Sequence, residues 1–231
     1  MTSAETRELL KRNLSALEQH IDAACRRAGR QRTDVTLVAV TKYVSPEVAA
    51  VLPELGILDL GESRPQELWR TAKALPNDVR WHLVGHLQRN KIVPTLPLVH
   101  LIHSVDSVRL LEALDAEARA QSRKIDVLLE LNLSREPQKH GFEPSAIVPE
   151  LGQFANLSIR GLMTMAAETT DAEAARPVFA ELRRLRDQWQ HAFPGLTELS
   201  MGMTNDFEIA IEEGATLVRI GSALFEGLLS P

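Results

Sequence analysis

The chain alternates between short, almost wholly apolar runs and longer segments with helical periodicity. Runs that are apolar at nearly every position are typical of strands buried on both faces, as in parallel sheets. Eight such runs are predicted to be strands: residues 35–40, 57–60, 81–86, 100–105, 125–131, 159–163, 197–201 and 217–221. The pattern therefore predicts a parallel sheet whose strands are separated by helices.

A helix is predicted ahead of the first strand, over residues 3–29. Thr2 and Glu5 have the spacing of a capping box, and Gly29 stands where a helix commonly ends. The apolar residues of this segment fall on one stripe: Leu10, Leu14, Leu17, Ile21 and Ala24. This stripe is typical of an amphipathic helix.

The connecting segments also have helical patterns. Ser45 and Pro46 have the order of an N-cap followed by proline at the first helical position. Segments 106–122 and 171–192 place apolar residues on one face. Eight strand–helix units after a leading helix predict a (β/α)8 TIM barrel with an extra N-terminal helix, and an open doubly wound sheet is the second candidate. No linker-like tract divides the chain, so residues 1–231 are predicted to form one domain.

Composition and charge narrow the functional classes. Hydrophobic residues make up 44% of the 231 residues, and 26 Lys and Arg against 31 Asp and Glu give a net charge of −5. This balance argues against a general nucleic-acid or anionic-membrane binder. Cys25 is the only cysteine, which excludes an intrachain disulfide and a cysteine-based zinc site. Because there is no apolar signal core and no run of about 20 apolar residues, we expect a soluble cytoplasmic protein.

Functional residues of a barrel collect at the carboxyl ends of its strands. Lys42 follows the first strand, where partial burial would favour a neutral amine that can attack a carbonyl and form a Schiff base. The alternative is a lysine that extends from a strand end into solvent. Arg219 should point inward, in the same direction as Gly221. It could then meet a carboxylate such as Glu62, or a ring nitrogen of a ligand.

The ends of the last two strands have the composition of an anion-binding site. Gly202 and Gly221 allow close backbone approach, and Ser222 supplies a hydroxyl. Thr204 is placed to cap the next helix, whose first amides would then face the anion. Barrels often bind phosphate after these two strands. A phosphate site and two ordinary turns both remain open.

The histidines give little evidence for a metal. His82 and His86 lie four residues apart and should share a strand face, but no carboxylate or third histidine has matching spacing. We therefore predict no metal site. The methionines near the strand ends are predicted to be apolar pocket wall: Met163, Met165, Met201 and Met203.

Eight segments, which span nearly the whole chain, carry a specific combination of motifs. They are VAVTK (38–42), LGESRPQE (60–67), WHLVGHLQRNK (81–91), HSVDS (103–107), KHGF (139–142), GLMTM (161–165), LSMGMTNDFEIAIEEG (199–214) and VRIGSALFEG (218–227). In this order the chain resembles the YggS/PROSC family of pyridoxal 5′-phosphate (PLP) homeostasis proteins, which is related to the N-terminal barrel of alanine racemase. Each segment alone is unspecific, whereas the combination is highly specific.

The resemblance implies a role for each matching residue. Lys42 matches the lysine that holds PLP as an internal aldimine, and Arg219 matches the arginine that faces the pyridine nitrogen. Lys139 matches a lysine discussed as a secondary handler of the cofactor. The matches around the phosphate are Thr204, Gly221 and Ser222 as binding positions, with Gly202 and Met203 as the backbone beside it.

Two positions depart from the family pattern. Ser63 stands where the family usually has asparagine, and the shorter side chain could lose a contact to the ring hydroxyl of the cofactor. Val44 stands where many members have a second lysine, so a transfer role for such a lysine is doubtful here.

The resemblance implies a PLP-binding protein that contributes to intracellular PLP homeostasis without a dedicated catalytic turnover. Such a carrier would have PLP as its ligand and apo PLP-dependent enzymes as possible partners, with a monomer as the default assembly. No catalytic residue is predicted. An arginine can only donate, so a ring nitrogen that faces Arg219 would be unprotonated and a weak electron sink.

The alternative function is a PLP-dependent amino-acid racemase. The resemblance implies that such an enzyme uses a lysine on one face of the substrate adduct and a partner subunit's tyrosine on the other. The only tyrosine here, Tyr43, adjoins Lys42 and should project roughly opposite to it. His86 and His103 are the nearby imidazoles, and neither matches a family base. The chain also stops at residue 231 without a second domain, so we favour the carrier.

Overall fold

The strands form a closed barrel in sequence order. The computed structural model describes residues 2–134, 140–143 and 152–228, and within these residues eight parallel strands close on one another. The strands are β1 (Thr36–Val40), β2 (Asp59–Glu62), β3 (Arg80–Leu83), β4 (Val99–Val105), β5 (Ile125–Glu130), β6 (Leu157–Met163), β7 (Glu198–Ser200) and β8 (Leu217–Ile220). Pairing of β1 with β8 closes the barrel. The predicted (β/α)8 fold is confirmed, and the open sheet is wrong.

Helices cover the outside of the barrel. They are α1 (Ser3–Arg27), α2 (Pro46–Ala49), α3 (Val51–Glu54), α4 (Pro65–Ala72), α5 (Ile92–Thr95), α6 (Val108–Ala120), α7 (Arg176–Gln190) and α8 (Phe207–Glu212). The predicted leading helix is confirmed as α1, with the Thr2–Glu5 capping box in place. Gly29, at φ +66°, adopts the left-handed conformation that ends it. Among the described helices, none is long and apolar enough to cross a bilayer.

The start of β2 and the end of β3 differ from the predicted strand boundaries, because the chain turns at both places. Gly56, at φ +86°, turns the chain after α3, and the sheet pairing of β2 begins at Asp59 instead of residue 57. β3 ends at Leu83 instead of residue 86. Beyond it, Gly85 runs so close to Ser63 that a Cβ at residue 85 would lie 2.2 Å from the Ser63 carbonyl oxygen. A side chain at residue 85 could not be accommodated there.

The early end of β3 separates the two histidines predicted to share a face. His82 lies within β3 and is buried, whereas His86 lies beyond the strand and is exposed. The expected shared face is therefore wrong. Other boundaries shift as well. β6 begins two residues early, at Leu157, and the predicted helix 171–192 opens with a 3-10 turn over Ala172–Ala175 before α7.

Strand alternation produces two cores. A large cluster fills the space between the barrel wall and the helices, and a small one lies inside the barrel. The inner cluster consists of Val38, Leu101, Leu128, Met163 and Leu217. Arg219 lies two residues after Leu217 of the inner core, so its side chain shares the inward face. Glu62 lies two residues after Leu60 of the outer core, so its side chain points outward. The two charged residues lie on opposite faces of the wall.

Candidate functional site

A cavity of about 600 Å³ opens at the carboxyl ends of the strands. The residues that line it belong to the strand ends and loops of β1, β2, β3, β6, β7 and β8. All predicted site residues except Gly202 are among them: Lys42, Ser63, Met203, Thr204, Arg219, Gly221 and Ser222. The fold thus brings together side chains from the two ends of the chain.

Lys42 reaches the cavity as an exposed side chain. Its Nζ lies 4.5 Å from the centre of the Tyr43 ring, which is 55% exposed. Partial burial of Lys42 and the opposite projection of Tyr43 were expected, and both expectations are wrong. The chain turns at these two residues directly after β1, so strand alternation no longer separates their side chains. The amine is open to a ligand carbonyl from the cavity.

Glycine is required at the turn after β7. Gly202 has φ +91°, and a Cβ there would lie 2.5 Å from the Ala210 Cβ and 2.9 Å from the Phe207 Cα. Gly202 therefore packs the turn against α8 beneath the cavity instead of lining it. Gly221, after β8, does line the cavity, and a Cβ there would lie 3.1 Å from the Val40 carbonyl oxygen. These glycines let the first turn pack against α8 and the second against the end of β1, whereas the expected approach of their backbone to an anion stays a prediction.

The two turns meet through their hydroxyl groups. The Ser222 hydroxyl donates to Thr204 Oγ1 over 2.9 Å, at the edge of the cavity. Thr204 does not cap the next helix, because α8 begins at Phe207 with Asp206 as its N-cap. The expected cap is wrong, since the turn is longer than the spacing suggested. What the turns offer an anion is therefore a pair of adjacent hydroxyls on a close-packed backbone.

Arg219 is held inside the barrel beneath the cavity. Its side chain is 4% exposed, and it donates to Ser200 Oγ over 2.5 Å and to the Thr164 carbonyl oxygen over 3.0 Å. Among the described residues, no carboxylate lies within ion-pair distance of it. The expected pairing with Glu62 is wrong because Glu62 points outward, where it accepts from the Thr41 hydroxyl over 2.5 Å. A buried guanidinium without an anionic partner is costly unless a ligand supplies an acceptor.

Two acidic groups act on Arg219 from a distance. Burial lowers the pKa of Arg219 to about 10, against the opposing fields of Asp206 and Glu130, so the guanidinium stays charged at neutral pH. Burial and the charge of Asp106 raise the pKa of Glu130 to about 7. Burial also raises the pKa of Asp206, whose Oδ1 accepts from the Met203 N–H over 2.6 Å. These two acidic groups therefore compensate the positive charge of Arg219 only weakly.

Sequence reasoning missed most of one wall of the cavity. The loop after β6 contributes Ala166, Ala167, Glu168, Thr169 and Ala172, and the turn after β7 adds Asn205 and Asp206. The available signal was the uninterrupted polar and alanine-rich stretch after Met165. Met165 and Met203 line the cavity as predicted, but Met163 lies in the inner core and Met201 in the outer core.

A second group of side chains lies outside the cavity. His86 Nδ1 is 2.8 Å from Asp106 Oδ2, and His140 Nδ1 is 3.7 Å from the same oxygen, with the two imidazole rings stacked. These three residues could offer ligand atoms to a metal ion, so the absence of a metal site stays a prediction. Lys139, the expected secondary lysine, lies outside the described residues.

Comparison with known sequences gives consistent relatives. The family model for the alanine racemase N-terminal domain matches residues 12–228. The chain is 40% identical to the pyridoxal phosphate homeostasis protein of Aquifex aeolicus over 92% of this chain and 95% of that protein. It is 36% identical to the protein of the same description from Pseudomonas aeruginosa, over 92% and 93% of the two chains.

Solved structures point to the same family as the sequence relatives. PipY of Synechococcus elongatus, solved with PLP bound, superposes with a TM-score of 0.82 at 32% identity, over 94% of this chain and 99% of that one. Alanine racemase of Clostridium difficile superposes with a TM-score of 0.77 at 14% identity, over 94% of this chain and 56% of that one, which shows a shared fold alone. With this barrel and these relatives, the chain belongs to the pyridoxal phosphate homeostasis proteins within the alanine racemase N-terminal domain family.

Proposed function

We propose that this chain binds PLP in the cavity at the carboxyl ends of the strands, bonded to Lys42, and serves PLP homeostasis as a carrier. One observation carries the proposal. A single cavity presents an exposed primary amine at Lys42 and a buried guanidinium at Arg219 that has no carboxylate partner among the described residues. The relatives named for PLP homeostasis and the PLP-bound PipY structure support the same ligand.

The donor set fits the functional groups of PLP. When bound, PLP supplies an aldehyde that condenses with a primary amine. Lys42 would provide that amine, and the adjacent hydroxyls of Thr204 and Ser222 would donate to the phosphate. Gly221 would place the backbone of this turn beside the phosphate, because the missing side chain lets the turn pack against Val40 at the edge of the cavity. Ser63 lines the same cavity, on the side of β2.

Arg219 would set the protonation state of the ring nitrogen of the bound cofactor, and with it the chemistry that the cofactor can support. Because a guanidinium can only donate, a ring nitrogen in contact with it has to accept and stays unprotonated. An unprotonated ring withdraws electrons weakly, so carbanion chemistry is disfavoured. This supports holding and release of the cofactor over turnover of an amino acid.

Racemisation would also need an acid–base group on the face opposite Lys42. Tyr43 lies on the same side as the lysine, with its ring 4.5 Å from Nζ. His103 is buried in the barrel, and His86 lines a separate, smaller cavity. Among the described residues, Glu168 and Asp206 are the carboxylates that line the main cavity, and they are the candidates for such a group from this part of the chain.

The test is to incubate the PLP-loaded protein with L-alanine and, separately, with an apo PLP-dependent enzyme. We expect activation of the apo enzyme without consumption of amino acid, and no racemisation above slow background exchange in chiral chromatography. Racemisation at about 1 s⁻¹ or faster that is lost in Lys42→Ala would contradict the carrier. Asp206→Asn and Glu168→Gln would then show which of the two cavity carboxylates serves as the second acid–base group.

A further inference from the structure

A continuous line of buried polar groups runs down the barrel interior from Arg219. Below the guanidinium, Ser200 Oγ lies 2.7 Å from His103 Nδ1, and His103 Nε2 lies 2.8 Å from His82 Nδ1. His82 Nε2 then lies 3.0 Å from Asp59 Oδ1, near the opposite mouth of the barrel. Ser200 and both histidines are buried to within 2% exposure. Solvent therefore does not satisfy these groups, and they have to satisfy one another.

Asp59, at the lower end of this line, can only accept hydrogen bonds. Asp59 binds Arg80 through both carboxylate oxygens. Burial raises the pKa of Asp59, but the hydrogen bonds from His82 and Arg80 outweigh it and hold the pKa below its ordinary value. An ionised carboxylate has no proton to donate. The contact between Asp59 and His82 therefore requires a proton on His82 Nε2.

Arg219, at the upper end of the line, can only donate hydrogen bonds. Arg219 gives one N–H to Ser200 Oγ and cannot accept in return. Burial lowers the pKa of His103 well below its ordinary value, and burial also lowers the pKa of His82 against the pull of Asp59, so both imidazoles are neutral. A neutral imidazole has one donor and one acceptor nitrogen.

These two ends fix every proton between them. With its proton on Nε2, His82 accepts at Nδ1, so His103 has to donate from Nε2. His103 then accepts at Nδ1 from the Ser200 hydroxyl. Ser200 in turn has a lone pair free for Arg219. The direction deduced from the carboxylate end agrees with the direction required at the guanidinium end.

We propose that His103 and His82 are positioning residues for cofactor binding, through a one-way chain of hydrogen bonds, Arg219 to Ser200 to His103 to His82 to Asp59. The proposal rests on the proposed PLP site. Ser200 and the Thr164 carbonyl each hold one terminal nitrogen of the guanidinium, which fixes its plane. Because Arg219 lines the cavity, an N–H group that these two contacts leave free would donate to the ring nitrogen of PLP. The chain sets the geometry of a contact that neither histidine makes itself.

The proton positions can be read without any ligand. In protein labelled with 15N-histidine, we expect NMR to show His82 and His103 as neutral imidazoles with the proton on Nε2. A proton on Nδ1 of either ring, or a doubly protonated His103 at neutral pH, would overturn the one-way chain. His100→Gln serves for assignment, because the exposed His100 lies beside His82 without belonging to the chain.

The positioning role is tested with two ligands, PLP and its analogue with a C–H group in place of the ring nitrogen. We expect His103→Leu to weaken PLP binding about tenfold, the scale of one hydrogen bond to a charged group, with little change for the analogue. His103→Gln should restore binding of PLP, because its amide both accepts and donates. His100→Gln is the matched control and should bind both ligands like the wild type.

The remaining outcomes separate the two proposals. Equal weakening of both ligands in His103→Leu would make His103 a packing residue and overturn the inference while leaving the PLP site intact. Equal affinity of the wild type for the two ligands would remove the Arg219 contact from the proposed function, and the positioning role with it. If His103→Leu does not fold, Ser200→Ala breaks the same chain with a smaller change and should show the same discrimination between ligands.

Discussion

The charged residues at the two mouths of the barrel differ in whether the protein supplies their partners. At the amino-end mouth, Asp59 is saturated by Arg80 and His82, so its charge is neutralised within the protein. At the carboxyl-end mouth, Arg219 has no carboxylate partner among the described residues, and the Lys42 amine is exposed. Groups that satisfy one another stabilise a fold, whereas groups left for a ligand contribute binding. Substitutions at the first mouth should therefore change stability, and most of those at the second should change affinity.

Glu130 does not follow this division, because it lies at the carboxyl end of β5 and is expected to affect stability. Its pKa is raised from 4.5 to about 7, so the folded state binds the proton more tightly than the unfolded state. Its contribution is fully present below about pH 4.5 and is lost as pH rises through 7. We expect Glu130→Gln to remove this loss, making the variant up to about 3 kcal/mol more stable than wild type above pH 7.

The measurement for Glu130 is the free energy of urea unfolding from pH 4 to pH 8. The matched control is Glu112→Gln, an exposed glutamate of α6. If the difference between wild type and Glu130→Gln is the same at pH 4.5 and pH 8, the ionisation of Glu130 has no energetic consequence.

Asp59→Asn should break the pairing at the amino-end mouth. The asparagine keeps one acceptor oxygen but presents an N–H2 group to the Arg80 guanidinium, so we expect a loss of about 2 kcal/mol at pH 7. The pKa of Asp59 is depressed in the folded state, so its contribution is present above about pH 4 and is lost as pH falls below that value.

Urea unfolding at several pH values checks the Asp59 prediction. The stability difference between wild type and Asp59→Asn should shrink below about pH 4, and Asp78→Asn, in an exposed loop, should show no such trend. A difference that stays constant down to pH 2 would mean that Asp59 acts by shape and not by charge.

Thr204→Ala and Ser222→Ala should change affinity without changing stability. Each removes a hydroxyl proposed to donate to the phosphate, and each should weaken PLP binding by about tenfold. Because the two hydroxyls contact each other, the double variant should lose less than the product of the two single effects. Titration with PLP and with unphosphorylated pyridoxal tests this. Equal weakening of both ligands would show that the turns do not hold the phosphate.

Ser63→Asn should have the smallest effect. An asparagine in the place of Ser63 would reach further into the cavity and add one neutral hydrogen bond to the ring hydroxyl, so we expect PLP to bind about threefold more tightly. Ser63→Ala is the matched control and should not improve binding. Weaker binding of PLP by Ser63→Asn than by wild type would mean that the cavity has no room for the longer side chain.

The fold could be predicted largely because each strand is apolar enough to be recognised alone. The errors arose where a neighbouring element decided the local geometry. β3 ends early where Gly85 runs against Ser63, and the glycine within residues 81–86 signals a close backbone approach without showing which residue lies opposite. The Thr204 cap failed because helix starts depend on the exact length of the preceding turn.

The site could be predicted in part, because the motifs after β1, β7 and β8 are distinctive. The wall formed by the loop after β6 was missed, since the polar and alanine-rich stretch from Ala166 to Thr169 indicates a loop but not that the loop reaches the cavity. The buried line from Arg219 to Asp59 joins residues of five strands, and only the register of the closed barrel brings them together. Strand alternation could show that Arg219 points inward, but not which residue it meets there.

Chemical trapping can show directly whether Lys42 bonds to the aldehyde of PLP. Borohydride reduction of the PLP-loaded protein, followed by proteolysis and mass mapping, should find the added pyridoxyl group on the peptide that contains Lys42. In Lys42→Ala the label should disappear, together with the visible absorption of the bound cofactor. A label found on Lys139 or Lys91 in the wild type, with none on Lys42, would show that Lys42 does not bond to PLP.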